Sequence, residues 1–168
     1  MTEIPNAFRF SCPAWTQPND RNSLCCPLSF NIMDQTIPAK RILIVDDNHQ
    51  AADIAAELLA LYGHQTAVAY SGADGLRTAA AFAPDVILLD LGMPGMDGYE
   101  VAAALRALPE NRNLALVAFT AWGDEATRER TRSIGFDQHI TKPASLDEIV
   151  KGIGAACAMR DSFDRKIA

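Results

Sequence analysis

The chain has 168 residues, about half of them hydrophobic, with 21 acidic against 15 basic side chains and a formal net charge of -6. That size suits one domain with a short extension. The acidic balance argues against a nucleic-acid surface, which needs clustered Lys and Arg, and no apolar run approaches the ~18 residues of a membrane span. The amino terminus lacks the basic and apolar regions of a signal peptide, so the expectation is a cytoplasmic protein with no membrane partner.

Residues 1–39 differ from the rest. They hold Pro5, Pro13, Pro18, Pro27 and Pro38, and Cys12, Cys25 and Cys26 of the four cysteines, and they show neither a helical nor a strand period. They read as a disordered or loosely attached extension. An alternative is that translation starts at Met33, whose "MDQTIPAKRILIVDDN" leads directly into the first strand; a native mass spectrum showing the Met1 terminus would refute it. With Cys157, the cysteines make no metal-ligand spacing.

From Arg41 the elements follow in order. RILIV (41–45) is a short apolar run ending at Asp46-Asp47-Asn48. Ala51, Ile54, Ala55, Leu58, Leu61 and Tyr62 then share a helical face that Gly63 closes. A second strand fits Gln65 to Tyr70 and a second helix Gly72 to Phe82, stopped by Pro84. Strand three is 85–89, and a third helix runs from Gly98 to Leu108, halted by Pro109. Strand four spans Leu114 to Phe119 and ends at Thr120. "GDEATRERTRSIG" is a fourth helix, charged on most sides. A short strand, Asp137 to Ile140, precedes Thr141-Lys142-Pro143, and a last helix sets Leu146, Ile149, Val150, Ile153 and Cys157 on one face. Five strands alternating with five helices predict an α/β fold with a parallel sheet covered on both sides.

In such sheets, ligands bind beyond the carboxyl ends of the strands. Asp46 and Asp47 follow strand one, Asp90 strand three, Thr120 strand four and Lys142 strand five. Any one of them has an ordinary reading: Asp46 or Asp47 as a helix cap, Thr120 as a strand end, Lys142 as a surface charge. Together they put three carboxylates, a hydroxyl and an ammonium along one edge. Unbalanced, the acids would repel. A hard divalent cation such as Mg2+ resolves this, being held by one or two carboxylates with water and phosphate oxygens. The cluster then suits an anion that arrives with the metal, most simply a phosphoryl group.

The motifs "ILIVDDN", "DVILLDLGMPGMDGYE", "LVAFTA" and "FDQHITKP" stand in the order and at the spacings of a response-regulator receiver domain of two-component signalling. The segment from Arg41 to Cys157, about seven-tenths of the chain, resembles that family. The resemblance implies a flavodoxin-like doubly wound sheet of strand order 2-1-3-4-5 over residues 40–158, with residues 159–168 as a tail. It implies a signalling protein rather than an enzyme, with Asp90 accepting a phosphoryl group from phosphohistidine on a histidine kinase or phosphotransfer protein. Asp47, Asp90 and the Gly92 carbonyl would hold Mg2+, with Asp46 acting mostly through bound water. Thr120 and Lys142 would contact the phosphoryl oxygens, and the Lys142–Pro143 bond would be cis.

Three positions modulate this picture. The family's switch includes an aromatic residue three before the lysine, and here that position is His139. It reads either as a half-buried strand side chain with a hydrogen-bond partner or as a switch that swings inward with Thr120. Gly92 has no side chain to orient an attacking water, and Trp122 is bulky enough to shield a phosphoryl group, which predicts slow self-dephosphorylation; a phosphoryl lifetime of seconds would refute that. After the fifth helix only "AMRDSFDRKIA" remains. The expected output is therefore a contact face on helix four, strand five and helix five, as in a single-domain regulator that does not bind DNA. Two rivals are a degenerate receiver that only binds, and a haloacid-dehalogenase-like phosphohydrolase. The latter needs a second Asp where Gly92 stands and an acidic pair late in the chain.

Overall fold

The computed structural model describes residues 38–164; the readings of residues 1–37 as an extension, and of a start at Met33, lie outside the described residues. Five strands, β1 (Arg41–Val45), β2 (Gln65–Ala69), β3 (Val86–Leu89), β4 (Ala115–Thr120) and β5 (Gln138–Thr141), alternate with α1 (His49–Leu61), α2 (Gly72–Phe82), α3 (Gly98–Arg106), α4 (Glu125–Ile134) and α5 (Leu146–Asp164). All strand pairs are parallel, in the order β2-β1-β3-β4-β5.

Alternation along each central strand sorts side chains to two cores. Leu43, Val45, Ile87, Leu89, Leu116 and Ala118 meet Ala79 of α2 and Val101, Ala102 and Leu105 of α3. Ile42, Ile44, Val86, Leu88, Val117 and Phe119 meet Ala52, Ala56 and Leu59 of α1 and Ile149, Ile153 and Ala156 of α5. Both faces being covered, β1, β3 and β4 can be almost wholly apolar. Each large side chain buried this way contributes roughly 1.5–3 kcal/mol. These strands form the rigid floor that carries the residues at their carboxyl tips.

Several boundaries differ from the sequence reading, for local reasons. The cap of α1 is Asn48, whose side chain accepts from Ala51 N; neither Asp46 nor Asp47 is used as the cap, so both carboxylates stay at the strand tip. α3 ends at Arg106, and Pro109–Asn111 form a separate 3-10 turn, because proline cannot donate to a continuing helix. Asp97 opens α3 through a reciprocal capping box with Glu100. Thr120 and Thr141 lie within their strands, paired with each other. α5 continues to Asp164, past the boundary placed after residue 158. Arg160 on that last stretch reaches Asp137 at 2.8 Å and the Gly135 carbonyl at 3.2 Å, which gives those turns packing the sequence does not advertise.

Candidate functional site

Asp46, Asp47, Asp90, Thr120 and Lys142 all stand at the carboxyl edge of the sheet, while His139 lies within β5. Asp46 follows β1 and is 2% exposed; its Oδ1 accepts from Asn48 N at 2.9 Å and its Oδ2 from Lys142 Nζ at 2.5 Å. Asp90 follows β3, its own N–H bonded to Val45 O at 2.9 Å. Its Oδ1 accepts from Leu91 N at 2.7 Å, and its Oδ2 lies 3.2 Å from Lys142 Nζ. Asp47 is exposed at the mouth. Oxygens of Asp46, Asp47 and Asp90 lie within 4.8 Å of one another. Lys142 reaches across from the end of β5, where its N–H bonds Thr120 O at 2.8 Å and the Lys142–Pro143 peptide is cis.

The charges do not close. At an effective dielectric near 20, two carboxylates this close repel by about 3–4 kcal/mol, less where Asp47 meets solvent. One ammonium serves two of the three acids, so the cluster keeps a formal excess of two negative charges. Thr120 is 1% exposed, and its Oγ1 accepts from Trp122 N at 3.4 Å, a bond that leaves the hydroxyl proton available to an incoming oxygen.

The glycines around Asp90 have particular tasks. A Cβ on Gly98 would stand 2.1 Å from the Asp90 carbonyl oxygen, so only glycine lets α3 begin folded back against the strand end, where Gly98 N donates to Leu91 O. Gly95 turns the loop at φ 81. Gly92 leaves room for another side chain: a Cβ there would meet the Trp122 indole at 3.2 Å. Trp122 therefore lies across the glycine beside Asp90 while remaining 52% exposed.

His139 is half-buried on β5 with two partners. Its Nε2 lies 2.8 Å from Trp122 O and its Nδ1 3.4 Å from Thr131 Oγ1. Since a carbonyl only accepts, Nε2 carries a proton. His139 thus ties the β4–α4 loop to α4, which meets the hydrogen-bonded reading of this residue in the described state.

The family model for the response regulator receiver domain matches residues 42–154. The chain belongs to that family. Sporulation initiation phosphotransferase F of Bacillus subtilis is 33% identical over 110 residues, which cover 66% of this chain and 87% of that protein. The polar-differentiation response regulator DivK of Brucella ovis is 32% identical, over 68% of this chain and 93% of DivK. Transcriptional regulatory protein PrrA of Mycobacterium tuberculosis is 35% identical, but the match spans only 55% of its length; the chain covers about half of such longer relatives. A response regulator from Chloroflexus aurantiacus superposes with a TM-score of 0.67 at 27% identity, over 72% of this chain and 99% of that one. The receiver fold and strand order expected from the sequence hold, and the phosphohydrolase alternative loses its footing.

Sequence reasoning missed a second group at the rim of this receiver domain. His49, first residue of α1, stacks on Tyr70 with ring centroids 3.8 Å apart, and Tyr70 Oη donates to Asp53 Oδ1 at 2.7 Å. That bond, then partial burial, raises the Tyr70 pKa above its ordinary value. Tyr70 follows β2 just as Asp46 follows β1; only its place beside the outermost strand hid it. It also missed the packing of α4. Arg130 lies 3.8 Å above the Tyr99 ring centroid, and Thr131 is buried at 1% exposure amid a run of charges.

Proposed function

We propose that this chain is a phosphoacceptor of two-component signalling, with Asp90 as the residue modified. The observation that carries the proposal is the Asp90 carboxylate, fixed at a strand tip between backbone N–H groups and the Lys142 ammonium, inside an acidic cluster with uncompensated charge. In the reaction, one Asp90 oxygen forms the new bond to phosphorus while the phosphorus–nitrogen bond to a donor histidine breaks. The electron pair stays on that imidazole, which takes up a proton. Lys142 can shift from the carboxylates to the phosphoryl oxygens, and the Thr120 hydroxyl can donate to one of them. Catalysis of this kind is mostly positioning and charge stabilisation.

The donor set fits Mg2+. Three carboxylates offer hard oxygens at near-ligand separations, and the excess of two negative charges matches a divalent ion. Asp46, Asp47, Asp90 and the Gly92 carbonyl are the groups that would hold it. When bound it would neutralise charge on the phosphoryl oxygens.

The donor in this reading is a histidine kinase or phosphotransfer protein, in keeping with relatives such as the phosphotransferase of Bacillus subtilis. In this reading the activity of the domain is its own phosphoryl transfer, carried out in the cytoplasm. Among the described residues no helix is long and apolar enough to cross a membrane. Output passes through the face made by α4, β5 and α5, with Thr120 and His139 moving together as the switch. The discriminating experiment incubates the protein with Mg2+ and acetyl phosphate and follows intact mass beside Asp90→Ala. The expected result is a Mg2+-dependent gain of one phosphoryl group that the variant lacks. If neither acetyl phosphate nor a phosphohistidine donor produces that gain, the chain is a degenerate receiver that only binds.

A further inference from the structure

Thr141 ends β5 and pairs in register with Thr120 at the end of β4, so the two hydroxyl-bearing side chains stand on one face of the sheet. The loop between β4 and α4 presses on that face. A Cβ on Gly123 would lie 2.7 Å from Thr141 Oγ1 and 3.0 Å from its Cγ2. The two hydroxyls are not used alike. Thr120 Oγ1 accepts from Trp122 N across a long 3.4 Å. Thr141 Oγ1 is buried and has no hydrogen-bond partner among the described residues. Native proteins rarely leave a buried hydroxyl in that condition, because its lost hydration is not made good. Valine suits a strand equally well and has no hydroxyl to leave bare. A hydroxyl kept there at a cost points to a second arrangement of the loop, in which it is paired.

We infer that Thr141 Oγ1 is the acceptor to which the Trp122 N–H passes when Thr120 leaves it. The inference rests on the phosphoacceptor reading, in which Thr120 moves to donate to a phosphoryl oxygen on Asp90. That movement breaks the bond to Trp122 N and strands an amide donor in the loop. Thr141 stands beside Thr120 on the same face, against the residue that follows Trp122, and its oxygen has lone pairs to accept with. One donor loses its partner where one acceptor lacks its own, so the hand-over leaves neither group bare. It also favours the phosphorylated arrangement twice over. The unpaired hydroxyl destabilises the loop as described, and its new bond stabilises the loop after Thr120 has moved; both shift the equilibrium the same way. Thr141 touches no reacting atom. It is a positioning residue that acts through the loop.

The test uses the 15N-labelled full chain with Mg2+ and beryllofluoride, a phosphoryl mimic, and compares wild type with Thr141→Val and Thr141→Ser. Hydrogen exchange at the Trp122 amide and affinity for the mimic are the two readouts. With the mimic bound, the wild-type amide should stay protected. In Thr141→Val it should exchange about tenfold faster, because opening the loop no longer breaks a hydrogen bond. The same variant should bind the mimic roughly three- to tenfold more weakly, the net worth of one such bond. Without the mimic its Trp122 amide should exchange as in wild type and its thermal midpoint should be no lower, since no bond has been removed. Thr141→Ser keeps the hydroxyl and should restore both readouts. The inference is overturned if Thr141→Val matches wild type with the mimic bound, if it loosens the Trp122 amide equally without the mimic, or if Thr141→Ser behaves as the valine variant does. A wild type that takes up neither beryllofluoride nor a phosphoryl group overturns the phosphoacceptor reading as well, which separates that failure from one confined to Thr141.

Discussion

At the amino edge of the sheet, Asp137 lies 3.0 Å from Arg106 and 2.8 Å from Arg160, and its Oδ2 also accepts from Leu116 N at 2.9 Å. Arg106 spends its remaining donors on the Gly135, Asn111 and Leu114 carbonyls. At the carboxyl edge, Lys142 alone serves Asp46 and Asp90, with Asp47 beside them. Both edges take charge partly out of water, but one encloses its acid in two guanidinium groups and a backbone N–H, with backbone carbonyls taking up further guanidinium donors. The other leaves acids in excess under a single mobile ammonium. A closed network stitches together the ends of α3, α4 and α5; an open one is ready for an incoming cation and phosphoryl group. Charge in a core is thus no mark of function by itself. What separates the two edges is whether the partners are complete.

The sharpest way to break the comparison is at Asp90. Asp90→Asn is expected to abolish phosphoryl uptake in the mass assay while leaving thermal stability unchanged or raised by about 1 kcal/mol, since it removes one of three mutually repelling charges. A large loss of stability would mean that the carboxyl edge, too, is a structural network. Asp137→Ala is the mirror experiment. Leaving Arg106 and Arg160 facing each other, half-buried and uncompensated, should cost about 3–5 kcal/mol in urea unfolding. Arg106 already feels that tension: burial first, and then the charge of Arg160, push its pKa down to about 10, against the pull of Asp137. A cost under about 1 kcal/mol would show that the amino edge is no more closed than a surface pair.

A smaller effect sharpens the carboxyl edge. Trp122 covers Gly92 without filling the site, so Trp122→Ala should hasten loss of the phosphoryl group by roughly tenfold or less, a barrier change of about 1.4 kcal/mol. Radiolabel release from the phosphorylated protein measures it. An unchanged rate would assign the indole to partner contact instead.

The same contrast explains what the sequence disclosed. Asp46, Asp47, Asp90, Thr120 and Lys142 could be found because each follows an apolar strand, and the ends of parallel strands converge by topology. Asp137 also adjoins a strand, but at its start, where a charge is unremarkable. Its partners Arg106 and Arg160 sit in helices 31 residues before and 23 residues after it (137 − 106 and 160 − 137), with no period linking them. The fourth helix read as solvated because its charges outnumber its apolar residues. Burial of Thr131, with its Oγ1 donating to Arg128 O at 2.8 Å, and the packing of Arg130 on Tyr99 depend on α3 lying alongside, which no local pattern reports. Asp46, Asp47 and Asn48 are all capping residue types, and the structure gives the role to Asn48, whose Oδ1 accepts from Ala51 N at 3.2 Å.

The smallest effect concerns pH and again belongs to the amino edge. His64, 7% exposed, lies just before β2 and accepts from Lys40 N through Nδ1 at 3.3 Å. Burial lowers its pKa below the ordinary 6.5, so the folded chain favours the neutral ring. The unfolded chain binds the proton first as pH falls, and stability must then rise with pH across that interval. The contribution is complete above pH 6.5 and is lost as pH falls through the lowered folded value, where a protonated Nδ1 can no longer accept from Lys40. Denaturant midpoints of the wild type should therefore decline on acidification below 6.5, and His64→Gln should flatten that limb. If the variant keeps the full slope, the proton is taken up elsewhere, and the acids of the carboxyl edge become the groups to examine next.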